Sequence, residues 1–107
     1  MKINCACGHQ IIDGTDEMPN KAHVLPDQGW GELLDAIDAA IEQSGPTAAD
    51  KDSACRDIRT RLSKAMRLAW QCSACGSLYV DDARFQAWRF APSSDDSPKN
   101  LFGADEG

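Results

Sequence analysis

The chain has 107 residues, of which 42% are hydrophobic and 26% charged, and its formal net charge is −6. This length accommodates a single domain, since domains commonly run to about 100–150 residues, and it excludes a multidomain enzyme. The composition is that of a folded globular protein and excludes wholesale disorder. No apolar stretch reaches the roughly 20 residues of a membrane span, and no secretory signal follows Met1, so we expect a cytoplasmic protein with no membrane partner.

The predicted elements begin with short strands and turns over residues 1–29. Strands are expected at Ile3, at residues 9–13 and at residues 21–25, and the Pro-Asp-Gln-Gly run at 26–29 is a turn signal. Two amphipathic helices follow, at residues 30–44 and about 52–69, separated by a linker with Gly45 and Pro46 that ends the first helix. The linker is short enough to predict an antiparallel helical pair.

Extended structure is expected to resume at residues 70–72, followed by a cysteine turn and a hairpin made of residues 77–81 and 85–91. After Pro92 the chain becomes polar and rich in turn-forming residues, so residues 93–107 are predicted to be a flexible tail. The sequence thus predicts one domain over residues 1–92, of α+β class, with a helical insert at about 30–69.

Five cysteines are present, and four of them form two close pairs. Cys5 and Cys7 precede Gly8, and Cys72 and Cys75 precede Gly76. In a reducing compartment such clusters are metal ligands more often than disulfides, and four thiolates on two tight turns suit the tetrahedral preference of Zn²⁺. Two side chains at i and i+2 of an extended segment point the same way, so Cys5 and Cys7 can converge on one ion.

These motifs resemble the zinc-ribbon or rubredoxin-like class, in which two cysteine knuckles on β-hairpins clamp one metal. The segment from Trp70 to Val80 looks like a typical second knuckle, and it is also similar to the ends of small bacterial proteins. The resemblance covers residues 1–12 and 70–91 and implies one Zn²⁺ per chain, with the helical pair as an insertion. The first knuckle departs from the pattern by having one residue between its cysteines, which makes His9 an alternative ligand. Iron in place of zinc, a disulfide and a metal-free chain are the remaining alternatives.

The fifth cysteine, Cys55, falls on the apolar stripe of the second predicted helix. A free cysteine in such a position behaves as a small buried hydrophobic residue, so we expect it to be buried and unreactive.

Four thiolate ligands leave no open coordination position, and motifs for phosphate binding, a nucleophile elbow or a zinc protease are absent from the sequence. We therefore predict a protein that is not an enzyme and that acts as a protein-interaction module with a structural zinc.

Two other functions stay open. The first is a nucleic-acid-binding zinc ribbon, because residues 27–50 contain six acids and no base whereas residues 51–67 contain six bases and two acids. Its candidate contacts are the basic residues assigned to the second helix: Arg56, Arg59, Lys64 and Arg67. The net charge of −6 opposes this function. The second is a thiol redox protein using Cys72 and Cys75, which the strand predicted after Cys75 disfavours, because reactive dithiols sit at helix N-termini.

Overall fold

The computed structural model describes residues 1–14 and 17–103 and contains two helices and two antiparallel sheets. The strands are β1 (Lys2–Asn4), β2 (Gln10–Ile12), β3 (Lys21–Val24), β4 (Arg67–Gln71), β5 (Leu78–Asp81) and β6 (Ala87–Phe90), and the helices are α1 (Trp30–Glu42) and α2 (Ala48–Ala65). The predicted α+β class is confirmed.

The chain divides into two compact units. The first contains Met1–Val24 and the chain from Arg67 onward, and the second is Leu25–Met66. The second unit holds both helices, which pack against each other. The boundaries of a single domain at residues 1–92 stay a prediction.

The first unit contains both sheets. β1 and β2 form a two-stranded sheet, and the larger sheet has the order β3-β4-β5-β6. The hydrophobic core of this unit consists of one aliphatic, two aromatic and two cysteine side chains: Ile11, Trp70, Tyr79, Cys5 and Cys72. Two of the metal-ligand candidates therefore belong to the hydrophobic core.

The second helix begins and ends four residues earlier than the sequence predicted. At its start Thr47 accepts a hydrogen bond from the backbone N–H of Asp50, and Asp50 accepts one from the backbone N–H of Thr47, which is a complete capping box. At its end the chain from Arg67 pairs with β3, and Val24 lies opposite Arg67. Residues 67–69, which the helical periodicity assigned to the second helix, therefore belong to β4 because they pair with β3.

The prediction that Cys55 is buried is wrong, because its side chain is exposed. The half-buried residues of α2 include Ala54, Ile58 and Leu62, which recur at intervals of four. Cys55 lies about 100° round the helix from Ala54, outside that stripe.

The tail predicted at residues 93–107 is described as far as Gly103, and residues 104–107 lie outside the described part of the chain. Gln71, at the end of β4, donates from Nε2 to the Pro98 carbonyl at 2.9 Å and accepts from the Leu101 N–H at 2.8 Å. These bonds connect the segment after Pro92 to the strand that leads into Cys72.

Candidate metal centre

The first cysteine pair lies in the loop of the β1–β2 hairpin. Asn4 and Gln10 are the last paired residues, so the loop is residues 5–9. Within it the Cys5 N–H donates to the His9 carbonyl at 2.9 Å, and the Gly8 N–H donates to the Cys5 carbonyl at 3.0 Å. Gly8 has a φ of 96°, a conformation that residues with a Cβ rarely adopt. The glycine after the pair therefore allows the tight turn.

The second pair lies in the equivalent loop of the β4–β5 hairpin, which is one residue longer. Gln71 and Leu78 are the last paired residues, so the loop is residues 72–77. The Cys72 N–H donates to the Ser77 carbonyl, and the Gly76 N–H donates to the Cys72 carbonyl, both at 2.8 Å. Gly76 has a φ of 86°. The two loops repeat one hydrogen-bonding scheme, and the shorter one accommodates the single residue between Cys5 and Cys7.

The two loops bring all four sulfur atoms together. Cys5 Sγ is 3.5 Å from Cys75 Sγ, and Cys7 Sγ is 3.7 Å from Cys72 Sγ. All four Sγ atoms lie within 4.8 Å of one another. Zn–S bonds of about 2.3 Å in a tetrahedron place sulfur atoms about 3.8 Å apart, so this donor set fits a tetrahedral thiolate metal site.

Burial differs among the four cysteines. Cys5 and Cys72 are buried, Cys75 is half-buried and Cys7 is exposed. A metal here would be enclosed by the core on the side of Cys5 and Cys72 and would approach solvent at Cys7.

The thiols affect one another's ionisation. The Ser77 hydroxyl, 3.2 Å from Cys75 Sγ, is the main cause that lowers the pKa of Cys75 to about 6. The backbone N–H of His9 lowers the pKa of Cys7, but desolvation and the thiols of Cys5, Cys72 and Cys75 outweigh it and raise that pKa to about 11. Four thiolates at this spacing repel one another. The positive charge of a bound cation would offset that repulsion, so metal binding would favour the deprotonated thiols.

Two further side chains surround the sulfur atoms and were missed by sequence reasoning. The Tyr79 hydroxyl accepts from the backbone N–H of Ala6 at 3.3 Å, and the Arg89 guanidinium lies beside the thiols of Cys5 and Cys75. Tyr79 and Arg89 are direct partners in the β5–β6 pairing. Strand alternation was the available signal, because it assigns Arg89 to the face opposite that of Trp88 and Phe90. The positive charge of Arg89 would offset part of the negative charge that four thiolates and a divalent metal would carry.

The alternative ligand His9 lies outside the cluster. Its Nε2 is 3.5 Å from Ser73 Oγ, a contact between the two loops at the exposed side of the site. Among the residues that the structure describes, the group able to hold a metal consists of Cys5, Cys7, Cys72 and Cys75.

The four candidate basic contacts are not on one helix. Arg56 pairs with Asp52 at 2.8 Å within α2, whereas Arg67 lies in β4. The sequence assignment of Arg67 to the helix is wrong, because the helix ends at Ala65. Arg59 and Lys64 are exposed on α2.

The cysteine cluster falls within a match to a known family model. The model describes a domain of unknown function, DUF8617, and matches residues 1–102, which include all four cysteines of the cluster. The chain belongs to this DUF8617 family. No curated protein and no solved structure matches the chain significantly. Across residues 1–14 and 17–103, no helix is both long and apolar enough to cross a bilayer.

Proposed function

We propose that this member of the DUF8617 family is a non-catalytic protein in which one structural Zn²⁺ fastens two hairpins together, and that the resulting body is a protein-interaction module. The convergence of four sulfur atoms from two hairpin loops far apart in the sequence carries the proposal. When bound, the zinc would supply a cross-link, a contribution that reaches about 10–16 kcal/mol in small zinc-dependent peptides.

Zinc is proposed because four thiolates in a tetrahedron suit Zn²⁺, and iron, which takes the same sulfur set, is the alternative that metal analysis decides. A closed set of four thiolates leaves no position for water or substrate, which argues for a structural role. The proposal places the protein in the cytoplasm, where its thiols would stay reduced.

Exposed apolar side chains support the interaction role. On β6 the side chains of Trp88 and Phe90 are 53% and 58% exposed, and they lie on one face because their partners in β5 are Val80 and Leu78. Large exposed hydrophobic residues in such arrangements are typical of protein-binding surfaces.

Metal analysis of protein purified under reducing conditions tests the structural part of the proposal. We expect one equivalent of zinc per chain. The double variant Cys72→Ser, Cys75→Ser should bind no zinc and should no longer show a cooperative unfolding transition. Cys55→Ser is the matched control, because this cysteine is exposed on α2 and outside the cluster, so the variant should keep both zinc and fold.

Affinity capture from lysate with and without nuclease treatment tests the interaction part. Recovery of a defined protein partner supports the proposal. Recovery that depends on intact nucleic acid would favour the nucleic-acid-binding alternative, which the pairing of Arg56 with Asp52 weakens. Reduction of a disulfide substrate by the zinc-free protein would favour the redox alternative, although Cys75 precedes strand β5 and not a helix N-terminus.

A further inference from the structure

Helix α1 carries an apolar stripe that α2 covers only in part. Leu33, Ile37 and Ala40 are half-buried, whereas Trp30, Leu34 and Ile41 are 42%, 42% and 59% exposed. At 100° per residue the three exposed side chains fall within about 40° of one another along the helix. We call Trp30, Leu34 and Ile41 the α1 ridge.

One side of the α1 ridge is lined by acids. Asp38, Glu42 and Asp35 are all exposed and lie about 60–120° from the centre of the ridge. Helix α1 contains four acids and no lysine or arginine. The ridge is therefore bordered by the half-buried side chains on one flank and by a row of negative charge on the other.

Among the described residues, the bases of α2 form no ion pair with this acidic row. In the described part of the chain the ion pairs of the second unit are Arg56–Asp52 and Arg61–Asp57, and both lie within α2. The acids of α1 take part in neither pair. The negative charge beside the α1 ridge is thus available to a ligand.

We propose that the α1 ridge binds an amphipathic helical segment of a partner protein, with apolar residues on one face and lysines or arginines beside them. This inference rests on the proposed interaction role and names the chemistry of the partner. An apolar helix laid along exposed residues at positions i, i+4 and i+11 is a common mode of peptide recognition. Basic residues on its rim would meet Asp35, Asp38 and Glu42, and complementary charge increases both selectivity and the rate of association.

The charge also decides against the two other occupants. A second copy of the chain that packed its α1 against this α1 would bring a helix with no bases against the same acidic row, and like charges across an interface are unfavourable. An anionic membrane surface attracts basic helices, and α1 has the opposite sign. A basic protein segment is the occupant that satisfies both the apolar and the charged parts of the surface.

Titration of the full-length, zinc-loaded chain with a synthetic peptide tests the inference. The probe is an amphipathic Leu/Lys peptide of about 18 residues, long enough to form a helix when bound, and its control replaces every Lys by Glu. We expect saturable one-to-one binding of the Lys peptide by calorimetry, with backbone amide shifts concentrated on α1, and no binding of the Glu peptide.

Two pairs of variants separate the apolar and charged contributions. Leu34→Gln with Ile41→Gln should weaken binding at least about tenfold, whereas Leu101→Gln, which changes a side chain 52% exposed in the first unit, should leave it unchanged. Asp38→Asn with Glu42→Gln should weaken binding about three- to tenfold and reduce its salt dependence. Asp95→Asn with Asp96→Asn makes the same change in net charge in the first unit and should have a smaller effect.

Several results would overturn the inference. The Glu peptide could bind as tightly as the Lys peptide, or the ridge variants and their controls could lose the same affinity. The amide shifts could fall outside α1, or the chain could dimerise through the α1 ridge. Binding of phosphatidylserine vesicles in preference to the Lys peptide would also overturn it. If a protein partner captured from lysate is retained by the Leu34→Gln, Ile41→Gln variant, the inference fails while the proposed interaction role stands.

Discussion

Gln71 offers a quantitative test of how the C-terminal segment is held. Its side chain is 1% exposed and makes three hydrogen bonds. Nε2 donates to the carbonyls of Gly76 at 3.2 Å and Pro98 at 2.9 Å, and Oε1 accepts from the Leu101 N–H at 2.8 Å. The variant Gln71→Leu keeps a similar volume and removes all three bonds. At about 0.5–1.5 kcal/mol net for each bond, the full cost is about 1.5–4.5 kcal/mol.

The cost should fall in the lower part of that range. The groups at Pro98 and Leu101 can return to water if their segment detaches, so their desolvation penalty is avoided. We therefore expect a decrease of about 2 kcal/mol in the free energy of unfolding, measured by urea denaturation of the zinc-loaded protein.

Truncation after Pro92 completes a double-mutant cycle. In the truncated chain only the bond to Gly76 remains, so Gln71→Leu should cost about a third of its full-length value. Gln10→Leu is the control, because Gln10 is exposed and its side chain contacts Asn4 at 3.0 Å, and its effect should stay within about 0.5 kcal/mol. An equal cost of Gln71→Leu in the two chains would refute the reasoning.

Three further predictions concern residues that support the fold. Asp13 accepts from Trp70 Nε1 and pairs with Lys21, both at 2.9 Å, and the Lys21 contact, followed by that of Trp70, lowers the pKa of Asp13. Its stabilisation is therefore complete above the unfolded pKa of about 3.9 and is lost as the pH falls through the lower folded value. Asp13→Asn should cost about 1–2 kcal/mol at pH 7 and flatten the acid limb of the stability curve, and an unchanged limb would contradict this prediction. Gly76→Ala should destabilise by about 1–2 kcal/mol because of its positive φ, whereas Gly31→Ala, in α1 with open space around it, should stabilise by up to about 1 kcal/mol in the same thermal denaturation assay. Thr47→Ala removes the cap of α2 and should cost about 1 kcal/mol, with a loss of helical signal in far-ultraviolet circular dichroism, and no change would contradict the role of the cap.

Local sequence signals located the strands and the cysteine loops. Alternation placed Trp88 and Phe90 on one face, and the glycines after Cys7 and Cys75 marked the turns. These features could be predicted because they depend only on neighbouring residues in the sequence. The sequence also predicted that two pairs of cysteines, separated by most of the chain, come together. Cysteine has few common roles in a reducing compartment, so its clustering carries information that a single apolar residue does not.

The errors lie where long-range contacts decide the structure. Residues 67–69 have helical periodicity, but their pairing with β3 makes them a strand, and Arg67 moves with them. Arg89 beside the sulfur atoms was missed because its position depends on the register with Tyr79. The hydrogen bonds between Gln71 and the segment after Pro92 also join residues far apart in the sequence, so local polarity gave no sign of them, and the flexibility of residues 93–107 stays a prediction.

The central claim is that one metal ion is held by four sulfur atoms from two hairpin loops far apart in the sequence. X-ray absorption at the zinc edge of the purified, reduced protein tests it most directly, because it counts and identifies the ligands. We predict four sulfur neighbours at about 2.3 Å and no nitrogen or oxygen neighbour. A shell containing nitrogen, as ligation by His9 would give, or a folded protein without metal, would contradict the account.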